Sequence, residues 1–377
     1  MKVKIIKLLL ITLFIDFLSS YFFFKKVSFW EQDNWKVKYW RISSDIYHHD
    51  LMPNINVQDK WGDLLKKSLI TNSLGFVDGK NRKIEKINTK KKRVLLIGDS
   101  FIEGIGLDYE FTFAGLLQKH IEEKYEVLNS AVSSYSPSIY YLKTKYYLDK
   151  GYKFDKVLVF LDVSDIYDEL FININLADEI LNIKKEIQYN KSLKQKFYNF
   201  GYFLRDNFLI FRVFQIVSDK TEILKNYIKL KYKASKEIDL SFFSVNQEDV
   251  LFYRMRNIDR GSWTRNDQTY DEIKEGLIQS EYYLKKLFNL LKKNKIDSYL
   301  IIYPWPEQIY YGDTKHQPYW ENFTTNNNIN FINMYNDFFS HQPKDIILKN
   351  FIKGDVHWNK NGTKIIFRKI INEIKFN

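Results

Sequence analysis

The sequence of 377 residues contains no cysteine, six prolines and 14 glycines. A chain without cysteine has no disulfide scaffold, no cysteine-based zinc site and no thiol nucleophile. The charged fraction of 28% and the hydrophobic fraction of 45% are ordinary for globular proteins, which excludes a disordered or collagen-like chain. If the protein uses a nucleophilic side chain, the attacking atom is therefore expected to be an oxygen.

Arginine is also scarce, since it supplies only ten of the 58 basic residues. The 46 acidic residues leave a formal net charge of +12, and an excess of basic charge can indicate a nucleic-acid or anionic-lipid partner. Here, however, the lysines are scattered among acids and form few long blocks. This pattern favours a solvated, lysine-rich surface, and we expect no nucleic-acid partner.

One apolar run is long enough to suggest a membrane segment. It covers Ile5 to Phe24 and lies between basic residues on both sides. About 20 apolar residues can span the hydrocarbon core of a bilayer, although Asp16 would cost about 2.5–3.5 kcal/mol there. Ser19 and Ser20 offer no good cleavage site for a signal peptide. Residues 1–28 are therefore predicted to form an uncleaved signal anchor, with the rest of the chain outside the cytoplasm. The alternatives are a cleaved signal peptide and a buried N-terminal helix.

Short apolar strands alternate with helical segments from residue 93 onward. The predicted strands include residues 94–97, 127–128, 157–161, 298–303 and 329–332, and amphipathic helices are predicted between them. This order predicts an α/β fold with a parallel five-stranded sheet. Residues 29–92 are predicted to pack on that domain, which covers 93–377. A lysine-rich stretch of about 170–262 is predicted to be a helical insertion.

Two segments at predicted strand or loop ends carry candidate catalytic residues. Ser100 follows the first strand within Gly98–Asp99–Ser100, and His357 lies near the C terminus two residues after Asp355. A serine hydroxyl needs a base within hydrogen-bond reach, and that base needs an orienting group. We therefore predict that Ser100 is the nucleophile, His357 its base and Asp355 the orienting acid.

These two segments resemble the SGNH, or GDSL-type, hydrolase superfamily, and the resemblance extends over roughly residues 93–168 and 298–377. It implies a three-layer α/β/α sandwich with a flavodoxin-like sheet and ester or acyl chemistry at the serine, without a cofactor or a metal. It also implies an oxyanion hole formed by Ser100, Ala131 and Ser164. Ala131 stands where the family usually has glycine, and Ser164 stands where it usually has asparagine.

The resemblance and the predicted anchor lead to two functional hypotheses. The first is a serine esterase or O-acyltransferase that acts on an acylated carbohydrate of the cell envelope, with a membrane-bound acyl-donor protein as a candidate partner. The second is a weakly active or inactive protein of the same fold that binds glycans, which the changes at Ala131 and Ser164 motivate. Trp305, Tyr310, Tyr311 and Trp358 are candidates for stacking on sugar rings, although most aromatic residues of such a chain belong to its core.

Overall fold

The computed structural model describes residues 2–26, 40–61, 65–88, 90–172, 208–265, 267–339 and 341–376. The chain divides into two compact units. The smaller unit consists of residues 1–37 and 175–250, and the larger unit consists of residues 38–174 and 251–377. The part of the predicted insertion between residues 173 and 207 lies outside the described residues.

Nine strands and thirteen α-helices are found among these described residues. The strands are β1 (Arg41–Ser44), β2 (His48–Leu51), β3 (Asn56–Trp61), β4 (Leu65–Ile70), β5 (Lys92–Ile97), β6 (Tyr125–Asn129), β7 (Lys156–Leu161), β8 (Asp297–Ile302) and β9 (Asn330–Asn333). The helices are α1 (Lys2–Lys26), α2 (Ser100–Glu103), α3 (Phe113–Ile121), α4 (Pro137–Asp149), α5 (Val163–Ile172), α6 (Leu209–Glu237), α7 (Gln247–Met255), α8 (Asp267–Lys293), α9 (Pro306–Tyr311), α10 (His316–Asn327), α11 (Tyr335–Phe338), α12 (Pro343–Asn350) and α13 (Lys360–Glu373).

A five-stranded parallel sheet is the centre of the larger unit, with the strand order β6-β5-β7-β8-β9. Its central strands are apolar runs, and Leu158, Val159 and Phe160 of β7 have no exposed surface. Strands buried on both faces need such runs, because helices cover both sides of a parallel sheet. The predicted α/β class and the five predicted strands are therefore confirmed.

Two groups of helices pack around the sheet. Helices α4, α5 and α8 contact one another, and α3 contacts α13. Both α3 and α13 begin at a side-chain cap: Thr112 Oγ1 accepts from the Gly115 N–H at 3.1 Å, and Asn359 Oδ1 accepts from the Asn361 and Gly362 N–H groups. Such caps satisfy backbone donors that the first helical turn leaves unpaired.

The segment before the sheet contains two antiparallel hairpins that the sequence patterns did not predict. The first pairs β1 with β2, and the second pairs β3 with β4 so that Trp61 lies opposite Leu65. Both hairpins belong to the larger unit.

In the smaller unit, α1 contacts α6. Phe17 packs against Phe208 with ring centroids 5.7 Å apart, and the Leu209 N–H donates to Ser20 Oγ at 2.7 Å. The N-terminal segment is thus helical, as expected. None of the helices in the described part of the chain combines the length and the apolar character needed to cross a membrane. The predicted transmembrane anchor is therefore not supported.

Candidate active site

Ser100 lies on a sharp turn at the carboxyl end of β5. A Cβ on Gly98 would meet Ile102 Cγ1 at 2.9 Å, so this position needs a residue without a side chain. Asp99 caps the short helix α2 by accepting from the Phe101 N–H at 3.0 Å, and Gly104 ends the helix with φ of 83°. Only glycine adopts that left-handed conformation at little cost. The local sequence therefore presents Ser100 at the first position of a single helical turn.

His357 lies in a loop between α12 and α13 that is closed by its own backbone. The Ile352 N–H donates to the His357 carbonyl at 2.8 Å, and the Asp355 N–H donates to the Ile352 carbonyl at 2.9 Å. Gly354 turns the loop with φ of 78°. These hydrogen bonds and the Gly354 turn hold the main chain that carries Asp355 and His357 in a closed loop.

The structure brings Ser100, His357 and Asp355 together, although Ser100 and His357 are 257 residues apart. His357 Nε2 lies 2.8 Å from Ser100 Oγ, and His357 Nδ1 hydrogen-bonds to Asp355 Oδ1. The same carboxylate oxygen accepts the His357 backbone N–H at 3.0 Å. This is the arrangement in which a histidine can remove the serine proton while a carboxylate fixes the imidazole tautomer.

Asp355 is held as an anion. Burial by itself would raise the pKa of its carboxyl, but the charge and hydrogen bonds of His357 and the indole N–H of Trp61 hold that pKa well below its ordinary value. The Trp61 Nε1–H donates to Asp355 Oδ2 at 3.1 Å. Asp355 can therefore stabilise an imidazolium on His357 across the neutral pH range.

The two other predicted oxyanion donors have partners of their own. The Ala131 N–H donates to Asn129 Oδ1 at 3.2 Å, because the asparagine at the end of β6 forms a turn with its own backbone. This donor, which was expected to face the oxyanion, therefore points to a side chain in the structure. Ser164 lies at the start of α5, where its hydroxyl accepts from Arg260 Nη2 at 3.4 Å. Because that contact uses an acceptor lone pair, the Ser164 hydroxyl proton is left for another acceptor.

Three buried carboxyl groups lie beside the candidate nucleophile. Oxygen atoms of Asp99, Asp162 and Asp165 lie within 4.8 Å of one another, a spacing that could also hold a metal ion. Burial raises the pKa values of Asp99 and Asp165 well above the ordinary value, and the Asp162 carboxylate raises both further. Tyr140 donates to Asp165 Oδ2 at 2.7 Å and Trp305 donates to Asp162 Oδ2 at 3.0 Å. The raised pKa values favour neutral Asp99 and Asp165, and the two donors each satisfy one oxygen of Asp165 and Asp162.

The N-terminal hairpins supply side chains that sequence reasoning did not identify. Glu103, at the end of α2, is fully buried and pairs with Arg41 of β1 at 2.6 Å and with Lys67 of β4 at 3.7 Å. Its other oxygen accepts the Ser133 N–H at 2.8 Å, in the loop that follows β6. These residues show no sequence signal of their own, because lone charged residues are common in a chain of this composition. The hairpins thereby hold both the nucleophile helix and the loop that carries Ala131.

The aromatic residues considered for sugar stacking are already engaged. Trp305 and Trp358 are each only 3% exposed, so neither presents a face to a ligand. The ring of Tyr310 lies 4.3 Å from the Arg256 guanidinium, and the ring of Tyr311 lies 4.1 Å from that of Arg265. For the two tryptophans, the alternative of a core role is therefore confirmed, and the structure does not support stacking on a sugar.

No family model matches the chain, and no curated protein matches it in sequence. Among solved structures, it is similar to TesA at 10% identity and a TM-score of 0.39, over 75% of this chain and 98% of TesA. A second is a lipolytic protein of the G-D-S-L family from Desulfitobacterium hafniense, with 11% identity, a TM-score of 0.38 and coverage of 75% and 100%. A third is a catalytic mutant of Axe2, an acetylxylan esterase from Geobacillus stearothermophilus, with 14% identity, a TM-score of 0.37 and coverage of 78% and 98%. Similarity at this level supports no conclusion about activity, so the functional argument rests on the geometry of the site.

Proposed function

We propose that this protein is a serine esterase that works through an acyl-serine intermediate. The observation that carries the proposal is the position of His357, which bridges Ser100 Oγ at 2.8 Å and the carboxylate of Asp355 through its two ring nitrogens. A serine hydroxyl by itself is a weak nucleophile at neutral pH, and this connection is what activates it.

The reaction follows from the geometry. His357 Nε2 takes the Ser100 proton while Oγ bonds to the acyl carbon of an ester. The tetrahedral intermediate then collapses, the bond to the alcohol oxygen breaks, and His357 returns the proton to that oxygen. Water, activated by the same imidazole, adds to the acyl-serine, and the acid is released as Ser100 regains its proton. The Ser100 N–H and the Ser164 hydroxyl are the proposed donors to the oxyanion, with the Ala131 N–H joining them if Asn129 releases it.

A fluorophosphonate probe, which phosphonylates an activated serine, tests the proposal. Wild-type protein should be labelled and should hydrolyse p-nitrophenyl acetate, whereas Ser100→Ala should do neither. His357→Asn should lower the turnover by about 10⁶-fold, because removing the base of such a triad costs about as much as removing the whole triad. Ser43→Ala, at an exposed serine of β1, is the matched control and should behave as wild type. Equal labelling of wild type and Ser100→Ala would show that the proposal is wrong.

For the substrate, we propose an O-acetylated carbohydrate, with either water or a sugar hydroxyl as the acyl acceptor. This proposal extends the resemblance of the sequence segments around Ser100 and His357. It is tested by incubating the protein with acetylated and free glycans and by measuring released acetate and transferred acetyl groups separately. Glycan binding without either reaction, and with equal affinity in Ser100→Ala, would instead identify a binding protein.

For the location, we propose that the catalytic region lies outside the cytoplasm. The proposal rests on the basic residues at the N terminus and the apolar run Ile5 to Phe24. Fractionation of cells that express the full chain, followed by protease treatment of intact spheroplasts, tests it. Protection from the protease in intact spheroplasts would contradict it.

A further inference from the structure

Trp61 ends strand β3 and reaches the catalytic loop from the N-terminal hairpin. Its indole N–H donates to Asp355 Oδ2 at 3.1 Å, and its ring packs edge to face on His357 with centroids 5.6 Å apart and planes at 85°. The two residues joined by the hydrogen bond are 294 positions apart in the chain. One side chain of the hairpin thus contacts both the carboxylate and the imidazole.

The contact divides the two oxygens of Asp355 between two partners. Oδ1 accepts from the backbone N–H and from Nδ1 of His357, and Oδ2 accepts from the indole N–H of Trp61. A carboxylate held at both oxygens cannot rotate about its terminal bond without breaking a charge-assisted hydrogen bond in a buried site. Trp61 therefore fixes the plane of the carboxylate, and that plane sets the direction of the imidazole.

The hairpin that carries Trp61 is itself attached to the nucleophile turn. Lys67 Nζ donates to the carbonyl of Gly104 at 3.1 Å, and the Ser68 N–H donates to Asp108 Oδ1 at 2.9 Å. Strand β4 thus holds the end of α2, while its partner β3 holds Asp355. The hairpin connects the two halves of the site, which come from distant parts of the sequence.

We propose that Trp61 is a positioning residue that acts on Ser100 through Asp355 and His357. The inference rests on the proposed function, because its kinetic consequence requires His357 to be the base. The proposal gives the β3–β4 hairpin a role in the reaction in addition to those of the segments around Ser100 and His357.

Trp61→Phe is the informative change, because phenylalanine keeps a ring beside His357 but has no N–H to donate. Outer partners that orient metal-bound side chains typically contribute about 10–100-fold, and we expect the lower end of that range for the hydrogen bond that orients Asp355. We expect kcat for p-nitrophenyl acetate and the rate of fluorophosphonate labelling each to fall about 10-fold, with KM within about twofold of wild type. General loss of folded protein would lower the active fraction without slowing the labelling rate of the remainder.

Trp358→Phe is the matched control. Trp358 packs against Phe101 and Tyr303 next to the same histidine, and within the described residues its indole N–H donates to no group. This variant should keep kcat within about threefold. A double-mutant cycle gives the second kinetic test: Trp61→Phe should have little further effect in an Asp355→Asn background, because its effect passes through Asp355.

A spectroscopic readout separates this inference from the proposed function. In protein labelled with ¹⁵N-histidine, the Nδ1–H signal that disappears in His357→Asn belongs to the hydrogen bond with Asp355. That signal should shift or broaden in Trp61→Phe and stay unchanged in Trp358→Phe, whether or not the protein hydrolyses esters. An unchanged signal together with unchanged labelling in Trp61→Phe would overturn the inference. A changed signal in a protein whose Ser100 is unreactive would overturn the proposed function alone.

Discussion

At the scale of single residues, the proton of Ser100 has two possible acceptors. Ser100 Oγ lies 2.8 Å from His357 Nε2 and 2.9 Å from Asp99 Oδ2, but a hydroxyl has only one proton to donate. If Ser100 donates to His357, Asp99 must be the donor in its own contact with Ser100. A neutral Asp99 meets that requirement, and its burial beside the Asp162 carboxylate raises its pKa in the required direction.

Replacing Asp99 by asparagine tests whether this carboxyl group acts as a neutral acid. Asparagine can donate its amide N–H to Ser100 Oγ while its oxygen still accepts from the Phe101 N–H, which Asp99 Oδ1 does at 3.0 Å. We expect Asp99→Asn to keep kcat for p-nitrophenyl acetate within about fivefold of wild type. Asp99→Ala should lose more, because it removes both the helix cap and the donor, and a lost cap alone costs about 1 kcal/mol of stability.

The comparison with Asp355 makes the result decisive. Asp355 acts as an anion, so Asp355→Asn should lower kcat by about 10⁴. If Asp99→Asn were impaired to a similar degree, Asp99 would have to be ionised in the working protein. The interpretation of its contact with Ser100 would then be wrong.

At the scale of elements, helix α2 depends on an ion pair with the hairpins. Glu103 is buried at the end of this single turn, so burial should raise its pKa, but Arg41 and Lys67 lower the pKa to about 2 from an ordinary value of 4.5. A carboxyl group whose pKa is lowered by folding stabilises the fold fully at pH values above its pKa in the unfolded chain. That stabilisation is lost as the pH falls towards its pKa in the folded protein. The shift corresponds to about 3 kcal/mol at neutral pH.

Glu103→Gln should therefore be less stable than wild type by about 3 kcal/mol at pH 7. As the pH falls from 4.5 towards 2, wild-type Glu103 takes up a proton and comes to resemble the neutral glutamine. The difference between the two proteins should fall to about half by pH 3. Urea unfolding at several pH values, followed by tryptophan fluorescence, measures it. A difference that stays constant down to pH 3 would mean that the charge of Glu103 does not contribute.

The elements also differ in how far the sequence predicts them. The sheet strands were predictable because burial on both faces requires continuous apolar runs, as in β5 and β7. The β3–β4 hairpin could not be predicted in this way, because two of its buried positions hold Asp59 and Lys67 instead of apolar residues. Arg41 lies 3.8 Å from Asp59, so these charges pair with one another across elements. A pattern based on apolar periodicity cannot recognise a strand whose buried positions include charged side chains.

At the scale of the whole molecule, the net charge of +12 does not show how many charged side chains are paired inside the fold. Several basic side chains are paired with acids inside the larger unit: Arg93 with Glu126 at 2.6 Å and Lys143 with Asp50 at 2.8 Å. Buried pairs of this kind specify which segments meet, since breaking one leaves an uncompensated charge. The serine and histidine motifs could be recognised from local sequence. The contacts of Trp61 and Glu103 could not, because they join segments whose proximity only the tertiary fold determines.

The division into two compact units gives a prediction for the whole chain. The candidate triad, the sheet and both hairpins lie within residues 38–174 and 251–377, whereas α1 lies in the other unit. A chain that begins at Lys38 should therefore keep p-nitrophenyl acetate turnover within about threefold of the full-length protein, because no residue of the proposed mechanism is removed. The contacts of α1 with Phe208 and Leu209 are lost, so the remaining smaller unit should become more sensitive to protease.

The shortened chain with Ser100→Ala gives the background rate. A shortened protein with an unchanged circular dichroism signal in its aromatic region but without Ser100-dependent turnover would show that residues 1–37 contribute to the reaction.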